Sequence, residues 1–198
     1  MSWWRRNRWA LLALPFVVAL VAVSGASRLV NFWWPSQLSE PVVGSVGAPV
    51  GLTAQTWDEE GEETSIDVDV VVGPTTEAVD WTDGDGMLQR VPYVDGTRVW
   101  RTDVTFTAPA GEDPTLCLAE VVDTRGRTTT YTTTAVGAQG LPVSPCAPPF
   151  SLSEQGPRDE TWTVPVLVRL TADVEPAELR IWWQPPEHVA VPLEVDAG

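Results

Sequence analysis

Nine residues near the C-terminal end of the chain alternate in character. Trp162, Val164, Val166, Val168 and Leu170 fall on one side, and Thr163, Pro165, Leu167 and Arg169 on the other. A helix would scatter that apolar set around its circumference, whereas a strand gathers it on one face. Ser65–Val72 repeats the pattern, with Ile66, Val68 and Val70 opposite Asp67 and Asp69. Thr97–Thr107 does so again, with Trp100, Val104 and Phe106 inward and Arg101, Asp103 and Thr105 outward. Weaker strands are expected at Val50–Thr56, Leu116–Val122, Thr128–Thr134, Glu178–Gln184 and Ala190–Val195. Leu116–Val122 is apolar on both faces and suits a central strand, while Pro165 marks its own strand as an edge or bulge site. Asp123-Thr124-Arg125-Gly126 reads as a hairpin turn, with Gly where φ is positive. About eight short strands between Gly/Pro turns, with no amphipathic helix among them, predict an all-β fold, a β-sandwich of about 7–9 strands.

The N-terminus is of another kind. From Trp9 to Ser27 no residue is charged. Wound as a helix, such a run spans about 28 Å, close to the ~30 Å hydrocarbon core of a bilayer. Arg5, Arg6 and Arg8 precede it and only Arg28 follows closely, so the positive-inside bias places the N-terminus in the cytoplasm. Trp3, Trp4 and Trp9 at one end and Phe32, Trp33 and Trp34 at the other have the placing of interfacial aromatic belts. The expected organisation is a cytoplasmic N-terminus at 1–8, a transmembrane anchor at 9–34, a linker at 35–49 and an extracytoplasmic β-sandwich at 50–198. The rival is a signal peptide cut near Ala26, since Ser24-Gly25-Ala26 supplies small residues after an apolar core.

All 12 basic residues are Arg, and no acidic residue precedes Glu40. Beyond residue 34, eight Arg stand against 27 Asp and Glu, a formal charge of −19. Phosphate backbones and anionic headgroups repel such a surface, which rules out a nucleic-acid partner.

The stretch DGTRVWRTDVTFTAPAGEDPTLCLAEVVDTRGRTTTY resembles the back half of immunoglobulin-like sandwiches of the telokin-like type, common in the envelope of Gram-positive bacteria. The anchor, CAPP and AELRIWWQPPEH are similar to uncharacterised single-pass envelope proteins of actinobacteria. The resemblance implies an immunoglobulin-like fold and an envelope location, and carries over no catalytic residue. The Cys–Trp–Cys spacing of antibody domains is absent.

Export makes a disulfide of Cys117 and Cys146 the expected state. Cys146 lies in an irregular Pro- and Gly-rich stretch, 137–160, which a bridge would tie down. The alternative is a reactive thiol, but there is no CxxC and no nearby His.

No constellation spells out a reaction. Asp58–Glu63 is an acidic run that reads as a solvated hairpin tip. Asp80–Gly86 places Trp81 and Pro92 where an EF-hand needs its first Asp and its bidentate Glu, so it reads as a Gly-rich turn. His188, the only His, reads as a surface residue in the turn Pro185-Pro186-Glu187-His188. No G-x-S-x-G, P-loop or zinc cluster occurs. The expectation is therefore no enzyme, no catalytic, cofactor-binding or metal residues, and no cofactor.

Trp182 and Trp183 are adjacent on an expected strand and must point to opposite faces. With Pro185 and Pro186 they form the candidate interaction surface. The favoured function is a membrane-anchored, extracytoplasmic immunoglobulin-like module for protein interaction in the bacterial envelope. Its partners would be the lipid bilayer through the helix and an envelope protein of unknown identity. The alternatives are an accessory subunit of a membrane complex assembling through its helix, and a secreted ligand- or Ca²⁺-binding domain.

Overall fold

A computed structural model describes residues 3–33, 36–57, 62–83, 86–109, 117–134, 136–137, 141–142, 144–147 and 160–195. The chain divides into two compact units, Met1–Leu38 and Ser39–Gly198.

The first unit is helical. Helix α1, Trp3–Arg28, runs into a π turn at Leu29–Trp33. The helix starts six residues before the expected anchor, and its first two turns carry Arg5, Arg6 and Arg8, so it is not apolar from end to end. Among the described residues no helix is both long and apolar enough to cross a membrane, and the expected spanning helix gains no support from the fold. Trp3, Trp9 and Trp33 are exposed. Trp34 and the side chains of Trp4, Arg5, Arg6 and Arg8 lie outside the described residues.

The second unit is a β-sandwich. Its strands are β1 (Glu40–Val43), β2 (Pro49–Trp57), β3 (Glu63–Glu77), β4 (Asp80–Thr82), β5 (Leu88–Arg90), β6 (Thr97–Thr107), β7 (Leu118–Asp123), β8 (Thr128–Thr130), β9 (Thr161–Thr171), β10 (Pro176–Trp182) and β11 (Glu187–Pro192). One sheet has the order β1-β11-β10-β7-β8 and the other β2-β3-β6-β9, so among the described residues nine strands make the sandwich. β4 and β5 form a separate hairpin. Each expected strand has a counterpart, with β6 in the range the alternation assigns it, but the strand expected at Thr128–Thr134 ends at Thr130 and the one expected at Ala190–Val195 runs over Glu187–Pro192.

The stretch expected as a linker contains β1, which pairs in parallel with β11 from Glu40↔Glu187 to Val43↔Ala190. The ordered unit thus begins about ten residues earlier than expected. Alternation is not visible over four residues holding a Pro, and the pairing partner lies almost 150 positions away.

The main core is the set that alternation assigns inward. Val68, Val70 and Val72 of β3 and Val104 and Phe106 of β6 meet Val164 and Val166 of β9, all fully buried. Ala119 and Val121, Leu179 and Ile181, and Val189 and Val191 face them from the other sheet. Phe106 stacks on Trp162 with centroids 5.6 Å apart. Pro165 falls where a missing N–H is tolerated, because β9 ends its sheet.

Two connections cross between the sheets at one end, 108–117 before β7 and 131–160 before β9. The Cys117–Cys146 disulfide joins them, with Cα atoms 5.9 Å apart, inside the reach of about 7 Å for such a bridge. The long crossing is further held by Tyr131, whose buried hydroxyl donates to the Pro142 carbonyl at 2.8 Å. Burial pushes that phenol well above its usual pKa.

The β7–β8 turn forms as expected. Gly126 has φ of 75°. The buried Asp123 carboxylate accepts from the amides of Arg125 and Arg127 and from Arg127 Nε at 2.8–3.0 Å. Burial is the largest single influence on that carboxyl and raises its pKa. The hydrogen bonds and the Arg127 charge together outweigh it and hold the carboxyl below its usual value.

Candidate functional site

The outer face of β6 and β9 is covered by a second, smaller core. Val99 and Leu167 are its floor, Trp81 and Val91 its roof, and Ala78, Val136 and Leu141 close its sides. This explains why Leu167, placed outward by alternation, has no exposed surface. The β4–β5 hairpin supplies the roof. Its register sets Trp81 against Gln89 and Asp80 against Arg90, which turns Trp81 inward (1% exposed) and Asp80 and Arg90 outward. The turn is built by Asp83, whose carboxylate accepts from the Met87 amide at 2.8 Å and from Gln89 Nε2 at 2.7 Å. Gly86 takes φ of 77°. The segment read as a Gly-rich turn thus begins as strand β4, and the Asp83 carboxylate that follows the strand is engaged by the Met87 amide. Among the described residues no group of three His, Cys, Asp or Glu side chains converges to hold a metal ion.

Beside this hairpin a cleft of about 410 Å³ opens between the end of β3, the 91–97 connection and β9. Its rim is apolar and open to solvent: Tyr93 is 84% exposed, Val79 71%, and Val94 close to half. Leu88 and Met87, farther along the hairpin, are also exposed. The connection is firmly held. Arg169 donates from Nη2 to the carbonyls of Pro92 and Val136, each at 2.8 Å, and from Nη1 to Thr97 Oγ1 at 3.1 Å. Gly96 sits at φ 71° in the turn closed by Thr97 N–H on the Val94 carbonyl. Arg98 lies over the Trp100 ring at 4.9 Å and donates from Nη2 to the Ala172 carbonyl.

The cleft concentrates positive charge. Arg101, Arg125, Arg127 and Arg180 each have a carboxylate oxygen at 2.6–3.2 Å. Arg98 has one only at 3.8 Å. Among the described residues, Arg90 and Arg169 have none within ion-pair distance. Arg90, Arg98 and Arg169 all line the cleft, against two carboxylates, Glu77 and Asp80.

The surface expected from the sequence is divided by the fold. Trp183, Pro185 and Pro186 line a smaller cleft of about 230 Å³ with Glu40 and Leu52. Trp183 also meets Phe106 edge-on at 6.4 Å and packs against the main core. Trp182 does point to the opposite face, but it is only 8% exposed there. The four residues do not form one surface. His188 requires a correction as well: it is a strand residue, opposite Pro41 of β1, and only 3% exposed. The turn between β10 and β11 is shorter than Pro185-Pro186 implies, so β11 begins at Glu187 and takes the imidazole into the sheet. Of the acidic run, residues 58–61 lie outside the described residues. The run does connect two antiparallel partners, since Trp57 pairs with Glu63.

The only trace of the cleft in the sequence is Tyr93 and Val94 between Gly and Asp turns. It carries no periodicity, so only the packing of Trp81 reveals which side of the hairpin remains open.

No family model matches this chain. No curated protein matches it either. Among solved structures it is similar to an uncharacterized β-sandwich protein from Clostridium difficile 630, at 8% identity and a TM-score of 0.43, over 80% of this chain and 96% of that one. Two chains this dissimilar share no residue correspondence through which a function is transferred. The fold stated here stands on the chain's own pairing: a mostly β protein built as a two-sheet sandwich with one disulfide.

Proposed function

We propose that this chain is a non-catalytic interaction module of the bacterial envelope, tethered by its N-terminal segment, that binds a protein partner through the face beside the β4–β5 hairpin. The observation that carries this reading is the exposed apolar rim of Val79, Tyr93 and Val94 beside a connection held in place by Arg169, with Leu88 exposed farther along the hairpin. Contiguous apolar surface on a rigid base is the usual form of a protein-binding face. The Trp183 cleft is the weaker candidate, because its aromatic ring already serves the core.

The tether rests on the sequence. Trp9–Ser27 is free of charge, and the described Leu12, Leu14, Phe16, Val17, Val18, Leu20, Val21 and Val23 are exposed on every side of α1. A helix apolar all round fits lipid better than water. The immunoglobulin-like reading draws on strand order: the first strand lies parallel to the last, and β10 and β11 stand beside β7 and β8.

A photo-crosslinking side chain at position 88 or 93 of the full-length chain, expressed in the source cell, tests the face. One discrete adduct is expected from these positions and none from position 53 or 128. Equal adducts at all four sink the reading. Alkaline extraction of membranes tests the tether. The intact chain, beginning at Met1, should stay with the membrane; a mature chain starting after Ala26 would favour the secreted alternative.

A further inference from the structure

Resting on the interaction face proposed above, we propose that the partner presents an extended acidic segment with an apolar side chain, received in the cleft lined by Arg90, Tyr93, Arg98 and Arg169. Charge complementarity selects this occupant. The chain beyond residue 34 carries −19, and the described Arg of that part outside the cleft, Arg101, Arg125, Arg127 and Arg180, are each matched by a nearby carboxylate. Arg90 is exposed and, among the described residues, has no carboxylate within ion-pair distance. Arg169 is oriented by two backbone carbonyls and a hydroxyl, which accept its hydrogen bonds without cancelling its charge. Arg98 is held by the Ala172 carbonyl and the Trp100 face, with the Glu77 carboxylate 3.8 Å from it. Two guanidiniums are thus fixed before any ligand arrives, and the cost of ordering them on binding is small. Glu77 and Asp80 in the lining and Asp95, which accepts from the Tyr93 hydroxyl at 3.2 Å, limit the attraction, but among the described residues Arg90 and Arg169 have no carboxylate within ion-pair distance.

The apolar rim requires the second element of the ligand. Val79, Tyr93 and Val94 offer a contact for one aliphatic or aromatic side chain beside the guanidiniums. A basic partner would meet carboxylates over most of the sandwich and repulsion at the cleft, so it would bind without selecting this site. An acidic partner is repelled by most of the surface and accepted here, which makes the site selective rather than strong. Fields from distant surface charges fade within about 8 Å at physiological salt, so the local arginines decide the outcome.

The test uses full-length protein and three fluorescein-labelled probe peptides: alternating Glu and Leu, alternating Glu and Ser, and alternating Lys and Leu. At physiological salt the Glu/Leu peptide should bind, and Arg90→Gln and Tyr93→Ala should each weaken it about tenfold or more. Arg90 is exposed, so its replacement should leave the melting temperature unchanged, and circular dichroism checks this. The Glu/Ser peptide should bind at least about tenfold more weakly for want of the apolar contact. Lys/Leu binding unaffected by Arg90→Gln is the expected background. No Glu/Leu binding, or binding indifferent to Arg90→Gln, overturns the proposal. If crosslinks from position 88 persist in that case, the interaction face survives and only its acidic partner falls. Concentration-dependent self-association abolished by Arg90→Gln would make a second copy the occupant and would also overturn it.

Discussion

Trp162 donates its indole N–H to the carbonyl oxygen of Cys146 at 2.8 Å. The half-cystine in the long crossing is thereby fastened to the first inward residue of β9. Ser144 fastens the same crossing to the other half-cystine, donating to the Cys117 carbonyl at 3.2 Å. The bridge, the indole and the hydroxyl hold one end of the sandwich together.

Removing the bridge should therefore loosen that end first. Cys117→Ala with Cys146→Ala should lower unfolding free energy by about 3–4 kcal/mol, the loop-closure contribution for a bridge of this span. Denaturant unfolding followed by Trp fluorescence measures it. A loss under about 1 kcal/mol would mean that the hydrogen bonds suffice.

The second core makes a separate prediction. Leu167→Ala removes a fully buried floor residue from beneath Trp81 and should cost about 2–5 kcal/mol. It should also raise amide exchange in 80–91 before it raises exchange in β3. Uniform exchange across both would show that the hairpin has no cooperative identity of its own.

Asp123 sets an acid limit. Its native carboxyl titrates below the unfolded value of 3.8. The stability it contributes is complete above that value and is lost as pH falls through the lower native one. Stability measured from about pH 6 down to about pH 3 should fall in the native protein, and the fall should be shallower in Asp123→Asn. Identical slopes would remove Asp123 from the account.

Trp183→Ala separates packing from binding. Losing the edge contact with Phe106 should cost about 0.5–1.5 kcal/mol beyond the buried area lost. Crosslinking from position 88 should be unchanged. Loss of the crosslink with stability intact would restore the Trp183 cleft as the interaction surface.

What the sequence by itself determined is the part governed by local period and composition. Alternation located Val164, Val166 and Val168 on the core side of β9, and Gly126 located the β7–β8 turn. Two cysteines in a chain read as exported implied their pairing. What only the tertiary structure decided depends on residues far apart in the chain. β1 is a strand because β11 offers it a free edge, and His188 is buried because it lies in that pairing. Leu167 is buried because a hairpin about 80 positions earlier folds over it. The same hairpin leaves Tyr93 and Arg90 exposed beside Arg169. Side-chain period records which face of a strand is apolar, but it does not record what comes to cover that face. The cleft exists through that covering, and so it was not legible until the chain was folded.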